Sequence, residues 1–390
     1  MPLRRLARHA REAWEVPRDL LLRRYPPFVT GGPLPRGDVP VFVFHSLEPE
    51  SFGAKLRHLA ENGYVTLSAE AYFRLLVGVG QVPDRAVVLT FDDGRGSLWS
   101  VGFPLMRRYG MKGIVFLVPG RVPEGAPGPT LDDVEDRRLP DEVLAPENGP
   151  GAFLNWGEVE AMAASGLFDF ESHSLSHSRI HTGPRLAGFV TPRLRSGYDA
   201  FDLPLIHGDG RDLQGPDVPL GTPLFTSDSR LSDALRFFED PGVRRACVEA
   251  VGGEESFFRA RDWQTRLRGL VAGKTVTGRL ESEAERNASI AHELRESKRL
   301  IEARVRKPVS HLCYPWHVSG ESARRLAREA GYRTAFCGKV RGVPISRPGS
   351  DPLKIARLGE DYLELLPGRG REQLSVVLQR KWRRRLRGRP

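Results

Sequence analysis

Short apolar runs and amphipathic stripes alternate through the first third of the chain. Residues 41–44, Val-Phe-Val-Phe, form a run without a polar break and stop at His45. Phe52, Leu56, Leu59 and Ala60 then recur at spacings of one, three and four, which predicts a helix with one buried stripe, closed by Asn62-Gly63. Ser68 is placed to cap a further helix that runs to residue 76. Val87-Val88-Leu89-Thr90-Phe91 is a second nearly unbroken run, followed by a helix over 97–108 and a strand over 113–118. Runs that are apolar on both faces suit strands covered from two sides. Strands alternating with helices at this interval predict a parallel α/β sheet or barrel.

Residues 119–150 break the rhythm. They are rich in Pro, Gly, Asp and Glu and predict a long loop or lid at the rim where the acids after Phe91 lie. A helix over 156–165 leads into a strand that delivers His173. Residues 178–281 read as an insertion, with a loop-like Gly- and Pro-dense first half and short helices over 232–238, 243–251 and 263–271. Such an insertion could wall a cleft or form an oligomer contact. Regularity returns with a helix over 284–305 carrying Ile290, Leu294, Ile301 and Val305, a strand over 309–313, a helix over 322–330 and a strand over 332–336. A last, basic helix over 372–386 has Leu374, Leu378, Trp382 and Leu386 at four-residue spacing. One side is expected to dock and the other to meet anionic lipid headgroups. The expected organisation is a basic helix and Pro-rich linker over 1–39, a first domain half over 40–177, the insertion over 178–281, a second half over 282–366 and a basic helix over 367–390.

Composition changes this picture at the ends. Apolar residues at 40% and charged residues at 28% describe a chain able to bury a full core, but the net charge of +10 is unevenly placed. Arg4, Arg5, Arg8 and Arg11 open the chain, and Lys381, Arg383, Arg384, Arg385, Arg387 and Arg389 close it. Such ends are either solvated tails or contacts for an anionic partner, a membrane surface above all. Nucleic acid is disfavoured because no reading motif or interleaved aromatics accompany the basic residues. Leu3, Leu6, Ala7, Ala10, Ala13 and Trp14 share one helical face, which suits either lying on a membrane or packing on the domain. No stretch approaches the roughly 20 apolar residues of a membrane span, and the start lacks the apolar core of a signal peptide. Cys247, Cys313 and Cys337 share no ligand-like spacing and point to reduced thiols. The expectation is a cytoplasmic protein, peripheral at the inner face of the membrane.

The candidate chemistry lies at two run ends. Asp92-Asp93-Gly94 follows the apolar run at 87–91. Adjacent carboxylates repel, so a cation is expected to take one and leave the other as a base; an acidic cap for the helix at 97 is the alternative. His173 and His177 lie four residues apart, a spacing that lets two imidazoles face one way on a helical turn. With one carboxylate they make a three-ligand set that leaves a coordination position open for water.

Thr90-Phe91-Asp92-Asp93-Gly94, His173-Ser174-Leu175-Ser176-His177 and Leu312-Cys313-Tyr314-Pro315-Trp316, in that order, resemble the first three motifs of the polysaccharide deacetylase family, the NodB-type carbohydrate esterases. Val43-Phe44-His45 and Lys307-Pro308-Val309 resemble its poly-N-acetylglucosamine deacetylase branch. The resemblance implies a distorted (β/α) barrel and does not cover the large insertion over 178–281, between the second and third motifs. It implies a divalent metal, Zn²⁺ first among Zn, Co, Ni and Mn, held by Asp93, His173 and His177. Asp92 would be the base, and the Tyr314 backbone N–H would face the oxyanion. The substrate would be an N-acetylhexosamine unit of a glycan or lipid-linked saccharide. Trp316 would offer a flat face to a sugar ring or pack in the core. The family's late Leu-x-Leu-His segment is missing, so His317 or His45 is left to protonate the amine. Arg357 resembles the arginine that buttresses the base in some relatives, a surface salt bridge being the alternative for a lone Arg. The missing histidine also leaves open a catalytically idle carbohydrate-binding relative.

Overall fold

The computed structural model describes residues 17–386, except 23–24, 141–143, 145–150, 197, 209–210 and 274–275. The amphipathic segment expected over 3–14 lies outside these residues. The strands are β1 (Val41–Phe44), β2 (Val65–Thr66), β3 (Ala86–Asp92), β4 (Gly113–Leu117), β5 (Phe168–Ser172), β6 (Arg179–Phe189), β7 (Ile206–His207), β8 (Asp212–Leu213), β9 (Pro223–Ser229), β10 (Phe237–Glu239), β11 (Gly278–Leu280), β12 (His311–Cys313), β13 (Thr334–Phe336) and β14 (Leu358–Gly359). The α-helices are α1 (Pro49–Glu61), α2 (Ala69–Leu76), α3 (Phe103–Tyr109), α4 (Leu131–Glu135), α5 (Trp156–Ala164), α6 (Pro192–Ser196), α7 (Pro241–Val251), α8 (Trp263–Ala272), α9 (Glu283–Val305), α10 (Glu321–Glu329) and α11 (Leu374–Leu386). No described helix is long and apolar enough to cross a membrane.

Parallel pairing orders the main sheet β13-β12-β5-β4-β3-β1-β14, with β2 also on β3. The sheet curls back on itself. Ile355 bridges to Phe336 of β13 while Leu358, three residues on, pairs with Phe42 of β1, so one segment joins both ends. This is the distorted (β/α) barrel that the resemblance implied, one of the two arrangements the alternation of runs and stripes left open. Side chains of a strand alternate between its faces, and β3 shows this directly. Ala86 and Val88 belong to an apolar cluster with Val41, Ile114, Phe116, Cys313, Phe336 and Ile355, one or two residues from each of several strands, which is the inside of the curl. Val87, Leu89 and Phe91 belong to the larger cluster shared with Leu56, Met106, Val159 and Leu294 of the surrounding helices. The inward series 86, 88, 90 therefore continues to Asp92.

The insertion differs from its expectation. Residues 179–189 form β6, paired antiparallel with β9, rather than a loop. Gly183 and Pro184 fall where the register is irregular, between His181 and Leu186, so they mark a bulge instead of ending the strand. Residues 232–238 are not helical. Phe237–Glu239 is β10, and the Asp233 carboxylate accepts from the backbone N–H groups of Glu321 and Ser322, capping α10. The helices expected over 243–251 and 263–271 are present as α7 and α8, and they close a separate small core with Phe189, Val190, Leu203 and Ile206.

The last helix also departs from its stripe. Val377 is the buried anchor, and Trp382 is 61% exposed. At 100° per residue, four-residue steps drift about 40° each, so Trp382 has rotated off the face that carries Leu374.

Candidate active site

Asp92 ends β3 on the inward-facing side, and the side chain it meets is Arg357, from the segment that joins the sheet's ends. Nη1 donates to Oδ1 at 2.7 Å and Nη2 to Oδ2 at 2.8 Å. Both residues are buried, and Arg357 is further satisfied by the Cys337 carbonyl at 2.9 Å and Thr90 Oγ1 at 3.1 Å. Arg357 is thus no surface salt bridge: its guanidinium is enclosed and bidentate, the arrangement that makes a buried charge tolerable. Burial pushes the Asp92 carboxyl up, yet the guanidinium, His173 and the hydrogen bonds hold it well below the usual range.

The next residue turns away. Asp93 has φ 69° and Gly94 φ 67°, both left-handed, which sends consecutive carboxylates in different directions. A Cβ on Gly94 would lie 2.5 Å from Leu117 Cδ1, so only glycine fits this turn. Asp93 Oδ1 lies 3.6 Å from His173 Nε2 and 3.5 Å from His177 Nε2. These separations are long for hydrogen bonds but match donors around a shared ion, since tetrahedral ligands at ~2.1 Å from a metal are about 3.4 Å apart. The His173 Nδ1 lies 2.8 Å from the Cys313 carbonyl, which sets Nδ1 as the donor and leaves the Nε2 lone pair facing Asp93. Burial pushes both imidazoles below their ordinary range, which keeps them neutral. Asp92, His173 and Cys313 form a second close group. It suits a cation poorly, because Arg357 holds both Asp92 oxygens and burial keeps the thiol protonated.

The turn carrying His173 and His177 is irregular, not the helical turn expected from their spacing: Ser174 and His177 have φ 62° and 50°. It is shaped from outside. Glu293 of α9 accepts from the N–H groups of Leu175 and Ser176, each at 3.0 Å, and from Ser176 Oγ at 2.5 Å. Arg121 Nη2 donates to the carbonyls of Ser176, His177 and Phe201, and its guanidinium lies over the Phe153 and Phe201 rings. Neither residue was expected. The one available signal was a glutamate beside Ile290 and Leu294 on the buried side of a helix.

The third motif places its residues unequally. Tyr314 is fully buried and its N–H donates to the Phe336 carbonyl at 3.0 Å, the final rung between β12 and β13, so this N–H is already engaged and not offered to an oxyanion. Trp316, at φ 51°, has a backbone N–H that makes no hydrogen bond among the described residues. Its ring centroid lies 4.2 Å from that of His177, with Arg179 over it at 5.2 Å, so it belongs to the site wall and not the core. His317 is exposed at the surface of this turn, its Nδ1 3.4 Å from Arg357 Nη2, and desolvation of its inner side together with that guanidinium holds the imidazole below its ordinary range. His45 is exposed at the end of β1 and close enough to act electrostatically on Asp92, Asp93 and His317.

The insertion reaches this centre. Gln214 Nε2 donates to the Ser176 carbonyl at 3.0 Å, and Asp202 Oδ1 lies 3.8 Å from His177 Nδ1. With Arg179 and Phe201 it forms one wall of the site.

Residues 79–188 match the family model described as polysaccharide deacetylase. The chain is 29% identical over 153 residues to the poly-beta-1,6-N-acetyl-D-glucosamine N-deacetylase of Escherichia coli K12, covering 38% of this chain and 21% of that protein. It is 27% identical over 88 residues to the Bacillus subtilis 168 protein YxkH, named as a polysaccharide deacetylase, covering 20% of this chain and 32% of the relative. The chain therefore spans a third or less of these curated relatives. Among solved structures it is similar to a de-N-acetylase from Aggregatibacter actinomycetemcomitans (TM-score 0.48, 17% identity, 82% of this chain and 94% of that one). It is also similar to IcaB from Ammonifex degensii (TM-score 0.47, 14% identity, 85% and 97%). Asp92, Asp93, His173 and His177 all lie inside the matched segment, so the similarity of residues 79–188 to the polysaccharide deacetylase family includes the four side chains of this centre.

Proposed function

We propose that this protein is a metal-dependent hydrolase that removes N-acetyl groups from N-acetylhexosamine units of a glycan or lipid-linked saccharide. One observation carries the reading: three ionisable donors sit at ion-sharing distance beside a carboxylate that a buried arginine keeps ionised. Asp93, His173 and His177 would hold the cation, Zn²⁺ being the first choice for two imidazoles and one carboxylate. Such a cation, when bound, lowers the pKa of a water and polarises a carbonyl.

The remaining steps fall to the chain's own residues. Asp92 is ionised; its Oδ2 accepts from both Arg357 and the Cys313 thiol, but Oδ1 keeps a lone pair beyond the one Arg357 uses and can accept the proton of an attacking water. The Trp316 N–H takes the oxyanion role expected of Tyr314, being the unengaged donor of this turn. Its indole, set between His177 and Arg179, presents a flat apolar wall to the sugar. His317, held neutral, is poorly placed to donate a proton. His45, exposed beside the acids, is the imidazole left to protonate the departing amine.

The test is acetate release from N-acetylglucosamine oligomers by Zn-loaded protein, β-1,6-linked oligomers being tried first because of the Escherichia coli relative. Asp92→Asn is expected to lower kcat by about 10²–10⁴-fold. Oligomer binding without acetate release by the wild type would overturn the hydrolase reading in favour of a binding protein.

A further inference from the structure

We propose that the two ends of the chain form one docking surface for an anionic phospholipid bilayer. Residues 1–24 and 379–390 hold 14 Lys and Arg against three acids, a net charge of +11. The whole chain carries +10, so residues 25–378 are close to neutral and the entire cationic excess sits on these 36 residues.

The described parts of both segments, residues 17–22 and 379–383, lie at one corner. Residues 17–21 are helical, and Asp19 there is buried against Lys339 at 3.2 Å. Lys339 Nζ reaches Tyr25 Oη at 2.5 Å, and Tyr25 Oη lies 3.1 Å from Tyr362 Oη, with ring centroids 5.2 Å apart. From the other end, Lys381 of α11 pairs with Asp361 at 3.2 Å and lies over the Tyr362 ring at 4.8 Å. Tyr362 is therefore where the described parts of the two segments meet.

What they present outward is apolar as well as basic. Leu21, Leu22 and Trp382 are 84%, 54% and 61% exposed. The inward cations of α11 are neutralised, Arg380 by Glu364 at 2.9 Å and Lys381 by Asp361. Arg383 is exposed and makes no ion pair among the described residues. Exposed leucines and an indole among arginines match the boundary between headgroups and acyl chains, where the rings and leucines enter and the guanidinium groups meet phosphate. A polynucleotide offers the phosphate but no apolar phase for Leu21 and Leu22, and a second copy of the same basic corner would repel the first.

The test is co-sedimentation of the full chain with vesicles of phosphatidylglycerol and phosphatidylcholine at roughly 1:3, against phosphatidylcholine alone. The protein is expected to pellet only with the anionic vesicles. The triple variant Leu21→Ser, Leu22→Ser, Trp382→Ser changes exposed side chains only and is expected to bind about tenfold more weakly with its unfolding transition unchanged. No preference for anionic vesicles, or full binding by the triple variant, overturns the proposal. Displacement from the vesicles by a DNA duplex that the triple variant binds equally well would assign the corner to nucleic acid instead. The readout is partition and not acetate release, so its outcome is independent of the deacetylase reading.

Discussion

At the scale of single residues the Asp92–Arg357 pair makes the sharpest predictions. Both charges are buried, so removing one partner strands the other. Arg357→Met is expected to destabilise the fold by about 3–5 kcal/mol in urea unfolding, and Asp92→Asn on that background to restore a large part of the loss. His311 supplies a pH dependence away from the site. It is buried beside Thr334, its Nδ1 2.6 Å from Oγ1, and burial with the nearby Arg333 and Lys298 pushes it down to about 3. In the unfolded chain a histidine titrates near 6.5. Between these values the unfolded state binds more protons, so stability is complete above pH ~6.5 and falls as pH drops toward ~3. From pH 6.5 to 5 this amounts to about 2 kcal/mol, and His311→Gln is expected to remove that part of the difference between unfolding curves.

At the scale of elements, the arrangement of Asp93, His173 and His177 depends on groups outside that set. The turn between His173 and His177 is held by one carboxylate of α9 and one guanidinium from the loop after β4. Glu293→Gln keeps the size of the side chain but surrenders its charge and part of its acceptor capacity. It is expected to weaken zinc affinity about 10–100-fold in a chelator-competition titration, with thermal unfolding of the metal-free protein changed much less. The sequence showed the apolar runs that became β1, β3 and β4, and it showed Asp92-Asp93 and His173/His177 because both motifs are local. It did not show Glu293 or Arg121, since each acts across more than 50 residues and a lone charged residue has no pattern; that Arg357 stands beside Asp92 was indicated by the resemblance alone. The Tyr314 expectation failed because a backbone N–H cannot be seen to be engaged until its neighbouring strand is placed. The strand β6 was hidden by Gly183 and Pro184, which read as a break and proved to be a bulge.

At the scale of the whole molecule, a bound cation and the fold should be linked. A ligand that binds only the native state stabilises it by about 2.7 kcal/mol at roughly a hundredfold excess over Kd. Zinc is therefore expected to raise Tm reversibly with a chelator, and Asp93→Asn to abolish the rise without abolishing folding. The residues that join the sheet's two ends, 352–359, also carry the guanidinium that Asp92 needs. Every other polar group of the centre is made before residue 320, yet Asp92 has no cation to balance it until those later residues thread between β13 and β1. A ribosome-bound or clipped copy ending short of them would thus leave the Asp92 carboxylate buried with no guanidinium to face it, and the last strand to be made is the one that completes the centre.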